Sequence, residues 1–266
     1  MDIKLPTILP LEYHDRMNMV LTTSWTIFKS QFINERYYIS KEAPFQHHFA
    51  NIIGQVGNLF CLTRDDFFRV DLETKCDNVK GKPKYVDITC EFVNKINCAV
   101  ELKYKKNSQG AQDHGRIDIY TDIEALEIVS KNKFDIGRFF AITDSTPYIH
   151  KSKVGVGTVF PTHHGHETKA GEIFISNSKG RDGVIVELTN SYKFDWEKID
   201  KTYFLDLEIN MSTLLEKLAK RDPNWIADDD HLERKDLTEE EASQACRELK
   251  EKFGMKDGYK KPNPKH

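Results

Sequence analysis

Three short segments in the first half of the chain alternate between hydrophobic and polar positions. They cover residues 67–72, 85–92 and 97–104. A period of two points successive side chains to opposite faces of a strand, so each segment predicts a half-buried β-strand. A short break at Asn94 separates the second segment from the third. We therefore expect these two strands to pair as a hairpin.

The hairpin divides its residues between an apolar and a polar face. On the first of its strands the alternation predicts an apolar face of Val86, Ile88, Cys90 and Phe92 and a polar face of Asp87, Thr89 and Glu91. On the second strand, Glu101 and Lys103 are two positions apart and therefore share a face. The pattern predicts that Glu101, Lys103 and Asp87 lie close together.

Apolar residues spaced by three and four positions predict the helices. We expect helices over residues 20–32, from Ser40 as N-cap to residue 60, over 116–131, and over 238–253, where Thr238 and Glu241 form a capping box and Gly254 ends the helix. Further strands are predicted at 139–143, 172–176, 184–188 and 203–209. This order predicts an α/β (α+β) fold with a mixed central sheet flanked by helices.

The length of 266 residues suits one large domain. We expect a single domain over 1–254, with a core at 40–144, additional elements at 145–254 and a disordered tail at 255–266.

No apolar run is long enough to span a bilayer, and the N-terminus lacks the basic start of a signal peptide. We expect a cytoplasmic protein that has no membrane partner. The five cysteines include no C-x-x-C pair, which argues against a zinc ribbon.

Charge is unevenly distributed along the chain, although its net value is only −3. Residues 75–106 contain eight lysines and four acidic residues, whereas residues 228–251 contain ten acidic and four basic residues. The basic stretch surrounds Asp87, Glu101 and Lys103. Because the local field governs the approach of a polyanion more than net charge does, a nucleic-acid substrate is permitted.

Asp87, Glu101 and Lys103 together carry the chemistry of phosphodiester hydrolysis. Two carboxylates, with the Leu102 carbonyl as a further oxygen, suit Mg²⁺. The bound ion lowers the pKa of its water and stabilises the leaving oxygen. A lysine repels a stored cation, but it is useful where an anion also binds, because it orients or activates the water and offsets charge on the phosphorane.

Asp87 followed fourteen positions later by Glu101-Leu102-Lys103 resembles the motif of the PD-(D/E)XK nuclease superfamily, which includes type II restriction endonucleases. Val86 stands where the strict motif has proline. The segment 40–50 (SKEAPFQHHFA) is similar to the upstream helix of bacterial members, and the resemblance implies supporting roles for Glu42 and Gln46. The segment 118–127 is similar to the helix that follows the E-x-K strand. The resemblance covers residues 40–144.

The resemblance implies a restriction-endonuclease-like fold and a Mg²⁺-dependent endonuclease, with Mn²⁺ as a substitute. Asp87, Glu101 and the Leu102 carbonyl would bind metal, and Lys103 would position or activate water. The implied substrate is double-stranded DNA, as for a type II restriction enzyme or another bacterial or phage defence nuclease. A homodimer is expected, because cutting both strands usually requires two sites. Two alternatives stay open: a catalytically silent module that binds DNA or a partner, and a ligand-activated or RNA nuclease.

Other polar clusters have simpler interpretations. Asp87, Glu101 and Lys103 could instead form a cross-strand ion pair on a solvated sheet face. The histidines of the loop, His163, His164 and His166, could bind zinc or copper, but a surface loop is favoured. Asp118 and Asp122 are interpreted as helix-surface or capping-type polar contacts, and the acidic run 228–230 as a solvated loop.

Overall fold

The computed structural model describes residues 8–110 and 112–209, apart from the side chains at 77 and 78, and the backbone of 225–228 and 231–234. Residues up to Met211 form one compact unit and those from Ser212 onward form a second. The prediction of a single domain to residue 254 stays a prediction. The predicted helix at 238–253, the tail and most of the acidic run lie outside the described residues.

Helices and strands follow the order predicted over the first 143 residues. The helices are α1 (Tyr13–Ile33), α2 (Glu42–Leu59), α3 (Gln112–Asn132) and α4 (Val156–Val159). The first four strands are β1 (Phe68–Val79), β2 (Lys82–Phe92), β3 (Ile96–Lys105) and β4 (Ile136–Thr143). The later strands are β5 (His166–Glu167), β6 (Glu172–Ile175), β7 (Ile185–Leu188), β8 (Lys193–Phe194), β9 (Glu197–Ile199), β10 (Thr202–Ile209), β11 (Trp225–Asp228) and β12 (His231–Arg234).

A six-stranded sheet in the order β1-β2-β3-β4-β10-β9 forms the centre of the first unit. Its neighbouring strands are antiparallel except β3 and β4, which are parallel and are connected through α3. A parallel connection requires such a crossover, whereas β2 and β3 are joined by a tight turn. The predicted α/β class with a mixed central sheet is confirmed. Three two-stranded sheets pair β5 with β8, β6 with β7 and β11 with β12.

Helices α1 and α2 cover one face of the sheet with aromatic side chains. The ring of Trp25 packs against Phe28, Phe49, Phe140 and Phe204, so that both helices are tied to the central strands. Helix α1 is longer at both ends than the predicted 20–32. The prediction of Ser40 as N-cap is wrong: α2 begins at Glu42, and Lys41 precedes it without a side-chain cap.

Helix α3 covers the other face and holds the additional elements of residues 145–199. Glu127 is 3% exposed and accepts hydrogen bonds from the backbone of Thr189 and Asn190 and from the Tyr192 hydroxyl. Glu124, equally buried, accepts a bond from the backbone N–H of Glu187. Buried carboxylates need such donors, so these contacts fix the added hairpins on α3.

Strands β1 and β2 change faces where Glu73 and Asp87 lie. Ile88 belongs to the core below α1 and α2, whereas Val86 belongs to the core below α3. The ladder pairs Leu72 with Ile88 and Thr74 with Val86. Between them, Glu73 has a left-handed backbone with φ of 49°, which is uncommon for a residue other than glycine. The predicted single apolar face that includes Val86 is therefore wrong.

None of the described helices combines the length and the apolar character that crossing a membrane requires.

Close contact between α2 and β1 depends on a missing side chain at Gly57. A Cβ atom there would lie 2.1 Å from Cδ1 of Phe68, whereas one at Gly54 would lie 3.7 Å from Cγ2 of Val70. We expect Gly57→Ala to lower the free energy of unfolding by about 1–3 kcal/mol, because the Phe68 ring must move. Gly54→Ala is the matched control and should be neutral or slightly stabilising. Urea unfolding of both variants measures this, and equal losses would contradict the packing.

Candidate active site

Strand β3 extends beyond its pairing with β2, and two carboxylates replace the missing strand. The β2–β3 ladder ends at the pair Ile88–Val100. Beyond it, the backbone N–H of Leu102 donates to Oδ2 of Asp87 at 2.7 Å, and the N–H of Tyr104 donates to Oε1 of Glu42 at 3.3 Å. Backbone donors at a buried edge must be satisfied, so the end of the ladder brings these carboxylates to β3.

Gln46 fixes the backbone that presents Asp87. Its Nε2 donates to the carbonyl oxygen of Asp87 at 2.7 Å and to Oε1 of Glu73 at 2.9 Å. This amide therefore bridges β1 and β2 at the point where both strands change faces. Glu42 and Gln46 lie one turn apart on α2, and the structure brings both to the surroundings of Asp87. Their supporting roles stay predictions.

Glu101 and Lys103 lie on the α3 side of β3 and meet two residues, Lys84 and Asp122, that the sequence did not assign to the site. Nζ of Lys84 lies 2.9 Å from Oε1 of Glu101 and 3.2 Å from Oδ1 of Asp122. Nζ of Lys103 lies 2.7 Å from Oδ2 of Asp122 and 3.5 Å from Oε1 of Glu42. Asp122 thus links the two lysines. We call Glu42, Lys84, Asp87, Glu101, Lys103 and Asp122 the carboxylate–lysine cluster.

The face change explains why Lys84 belongs to this cluster. It lies on the same side of β2 as Val86, two residues away, and both have turned toward α3. The interpretation of Asp122 as a helix-surface contact is wrong, because its side chain is 13% exposed and is held between two ammonium groups. Two signals were available in the sequence: Lys84 continues the alternation of β2, and Asp122 lies four positions after Asp118 on α3.

The carboxylates of the cluster carry more negative charge than the lysines offset. Burial raises the pKa of Asp87 to about 6, against the opposing effects of the Leu102 N–H and Lys103, and Asp122 and Glu42 raise it further. Burial also raises the pKa of Glu101 well above its ordinary value, together with Asp122 and Asp87, although Lys84 opposes this. Glu101 is 2% exposed. An additional positive charge near these two residues would stabilise their ionised forms.

Both lysines are held in the charged form. Burial lowers the pKa of Lys103, but Asp122 and Glu42 outweigh it and raise the pKa above its ordinary value. The same balance raises the pKa of Lys84, where Asp122 and Glu101 outweigh burial. At neutral pH each side chain is therefore a cation, and neither has a free electron pair with which to accept a proton.

Asp87, Glu101 and the Leu102 carbonyl offer oxygen atoms of the kind that Mg²⁺ binds. In a strand the N–H and C=O of one residue point to the same edge, so the carbonyl of Leu102 lies on the side where its N–H meets Asp87. Oε1 of Glu101 is buried and lacks a partner in hydrogen-bond geometry. Among the described residues no three His, Cys, Asp or Glu side chains gather as a ligand set. Mg²⁺ commonly uses one or two carboxylates and keeps several waters, so Asp87 and Glu101 would be the residues to hold it.

Two further basic residues, Lys105 at the end of β3 and Arg181 in the loop between β6 and β7, meet at Asp118 of α3. Asp118 lies 3.7 Å from Nζ of Lys105 and 2.8 Å from Nη2 of Arg181, and the Arg181 side chain is 45% exposed. This arrangement supplies two cations held by one carboxylate beside the proposed site.

The histidine loop lies apart from these contacts. His163 and His166 have ring centroids 5.3 Å apart, while the His164 side chain is 55% exposed and lies 3.6 Å from Asp195. No set of three metal ligands includes them within the part of the chain that the structure describes.

Comparison of the chain with protein-family models, with curated proteins and with solved structures gives no match.

The ionised Asp87 carboxylate should destabilise the folded protein at neutral pH. Its pKa rises from about 3.9 in the unfolded chain to about 6 in the folded chain, so the folded state binds more protons between these values and stability falls as the pH increases through this range. We expect Asp87→Asn, which retains an oxygen acceptor for Leu102, to raise the free energy of unfolding by about 1–3 kcal/mol at pH 7.5 and by less at pH 5. Thermal unfolding across this pH range measures the difference.

Asp66 offers a control of opposite sign. Hydrogen bonds from Tyr13, Leu62 and Thr63 and the charge of Arg16 outweigh burial and lower the pKa of Asp66 to about 2. Asp66→Asn should therefore destabilise the protein at pH 7.5. A loss of stability in Asp87→Asn that matches the loss in Asp66→Asn would contradict the excess of negative charge in the cluster.

Proposed function

We propose that this protein is a metal-dependent nuclease that hydrolyses phosphodiester bonds in double-stranded DNA. The observation that carries the proposal is the meeting of Asp87, Glu101 and Lys103 in a cluster that contains four carboxylates and two lysines. An ion pair that only stabilises a sheet needs no such excess. A site that binds a divalent cation does, because the cation supplies the missing charge.

The proposed roles follow from the contacts of each side chain. Asp87, aligned by the Leu102 N–H and by Gln46 at its own carbonyl, and Glu101 would hold Mg²⁺ together with the Leu102 carbonyl. The ion would lower the pKa of a bound water and stabilise the leaving oxygen. Glu42 accepts the Tyr104 N–H and lies near Lys103, so it orients the lysine from the α2 side.

Lys103 acts as a cation in this proposal. Because its pKa is raised, it orients the attacking water and offsets the negative charge that develops on the phosphorane, and it does not serve as the resting base. Its ion pair with Asp122 fixes the direction of the ammonium group. The side chain is 15% exposed, so most of its surface is shielded from solvent, which strengthens its interaction with an anion.

A nucleic-acid substrate is supported by the cations beside the cluster. Lys105 and Arg181 share Asp118 and provide donors for phosphate groups next to the scissile one. The choice of double-stranded DNA, and of a restriction or defence enzyme, comes from the resemblance of the motif. A homodimer is proposed on the same basis, since each subunit would cut one strand.

The decisive experiment measures cleavage of plasmid DNA by the purified protein with Mg²⁺, with Mn²⁺ and with EDTA. We expect cleavage with either metal and none with EDTA. Lys103→Met should lower the rate at least about a hundredfold, because a charge-stabilising group is lost. Lys80→Met is the matched control, because Lys80 pairs with buried Glu124 away from the cluster, and it should retain activity. An inert wild-type protein on varied DNA and RNA would contradict the proposal.

One observation favours a second candidate, a catalytically silent module that binds nucleic acid. Lys84 and Lys103 already contact the carboxylates, and no three-residue ligand set occurs among the described residues. A silent module should bind DNA no more tightly with Mg²⁺ than without it, because Mg²⁺ competes for the phosphates. For the nuclease we expect Mg²⁺ to tighten DNA binding by Lys103→Met, because the ion removes the negative charge that repels phosphate. Fluorescence anisotropy with labelled DNA separates the two.

A further inference from the structure

Lys84 has an unusual position for a lysine in an ordinary ion pair. Its ammonium contacts Glu101, which the proposed function assigns to the metal, and it also contacts Asp122, to which that function assigns only the orientation of Lys103. The side chain is 20% exposed and the Glu101 side chain 3%. The cation in contact with the Glu101 carboxylate is thus the ammonium group of Lys84.

A lysine and a divalent ion cannot share Glu101 without a cost. Both are cations, and at contact distances their repulsion in a partly buried environment amounts to several times the thermal energy. Nζ of Lys84 lies 2.9 Å from Oε1 of Glu101, so a divalent ion at this oxygen would meet the ammonium group at close range. Asp122 already offers the ammonium a second partner, at 3.2 Å.

We infer that Lys84 is an internal counter-cation that competes with the divalent metal ion for Glu101 and transfers to Asp122 when the ion binds. This inference rests on the proposed function, since it concerns the same site. With its acids and lysines ionised, the cluster contains four carboxylates and two ammonium groups and carries a charge of −2. A divalent ion brings this charge to zero, provided that Lys84 stays within the cluster on Asp122.

The inference predicts that removal of Lys84 strengthens metal binding. Isothermal titration of the full chain with MgCl₂ alone, without nucleic acid, measures the affinity, and the shift in melting temperature with Mg²⁺ gives a second reading. We expect Lys84→Met to bind Mg²⁺ about tenfold more tightly than the wild type, because a competing unit charge is removed from Glu101. Lys84→Arg retains the charge and should bind Mg²⁺ as the wild type does.

Two further lysines separate direct competition from a general change in charge. Lys103→Met removes the same charge from the cluster, but Lys103 contacts Asp122 and Glu42 and not Glu101, so the affinity gain should be smaller. Lys80→Met removes a lysine from a buried glutamate outside the cluster and should leave Mg²⁺ affinity unchanged. If Lys84→Met binds Mg²⁺ no more tightly than Lys103→Met, the inference is wrong. If the wild type and all variants fail to bind Mg²⁺, the metal site of the proposed function is wrong as well.

The wild-type protein provides a measurement that does not depend on the folding of a variant. Amine-reactive labelling followed by mass spectrometry reports how accessible each lysine is. We expect Mg²⁺ to change the labelling of Lys84 at least about twofold, while Lys80 stays constant, because only Lys84 exchanges a partner. Unchanged labelling of Lys84 at a Mg²⁺ concentration that saturates the titration would overturn the inference.

Discussion

The structure around the cluster depends on the unpaired edge of β3. Where β2 leaves the ladder, the N–H groups of Leu102 and Tyr104 would be buried without acceptors, and the carboxylates of Asp87 and Glu42 satisfy them. An unsatisfied donor at such a site costs about 1–3 kcal/mol, so both acids are held in place by the need of the backbone for acceptors. The same requirement brings α2 to the edge, since Glu42 begins that helix. The fold and the site thus use the same two hydrogen bonds.

The change of faces in β1 and β2 occurs where the ladder between β2 and β3 ends. An extended strand would direct Asp87 away from Val86 and Ile88 and perpendicular to the sheet. Instead, the Asp87 carboxylate accepts the backbone N–H of Leu102, at the point where Glu73 of the neighbouring strand has a left-handed backbone. The amide of Gln46 stabilises this geometry by binding both turned residues. A strained residue held by neighbouring hydrogen bonds is typical of functional sites.

Much of the fold was predictable because it depends on local periodicity. The alternation in 85–92 and 97–104 gave the hairpin, and the two-residue spacing of Glu101 and Lys103 correctly gave their shared face. The predicted face of Val86 was wrong, because nothing in the sequence indicates that Glu73 has a positive φ. The contacts of Asp122 were missed for a different reason: they depend on how α3 docks on the sheet, which periodicity does not determine. The local part of the site was accessible from sequence and the long-range part was not.

Packing alone does not explain why the carboxylates of the cluster outnumber its lysines. Four carboxylates and two lysines at one edge would be a poor structural solution, because apolar residues of similar volume stabilise an interior as well or better. The raised pKa values of Asp87 and Glu101 are the physical expression of that cost. A cation between them relieves it, and the relief is greatest where Leu102 already offers a carbonyl on the same edge. In the proposed nuclease an anion would then approach Lys103 and the neighbouring Lys105 without facing a negative surface, so we expect cation binding and substrate binding to be coupled through charge at this edge.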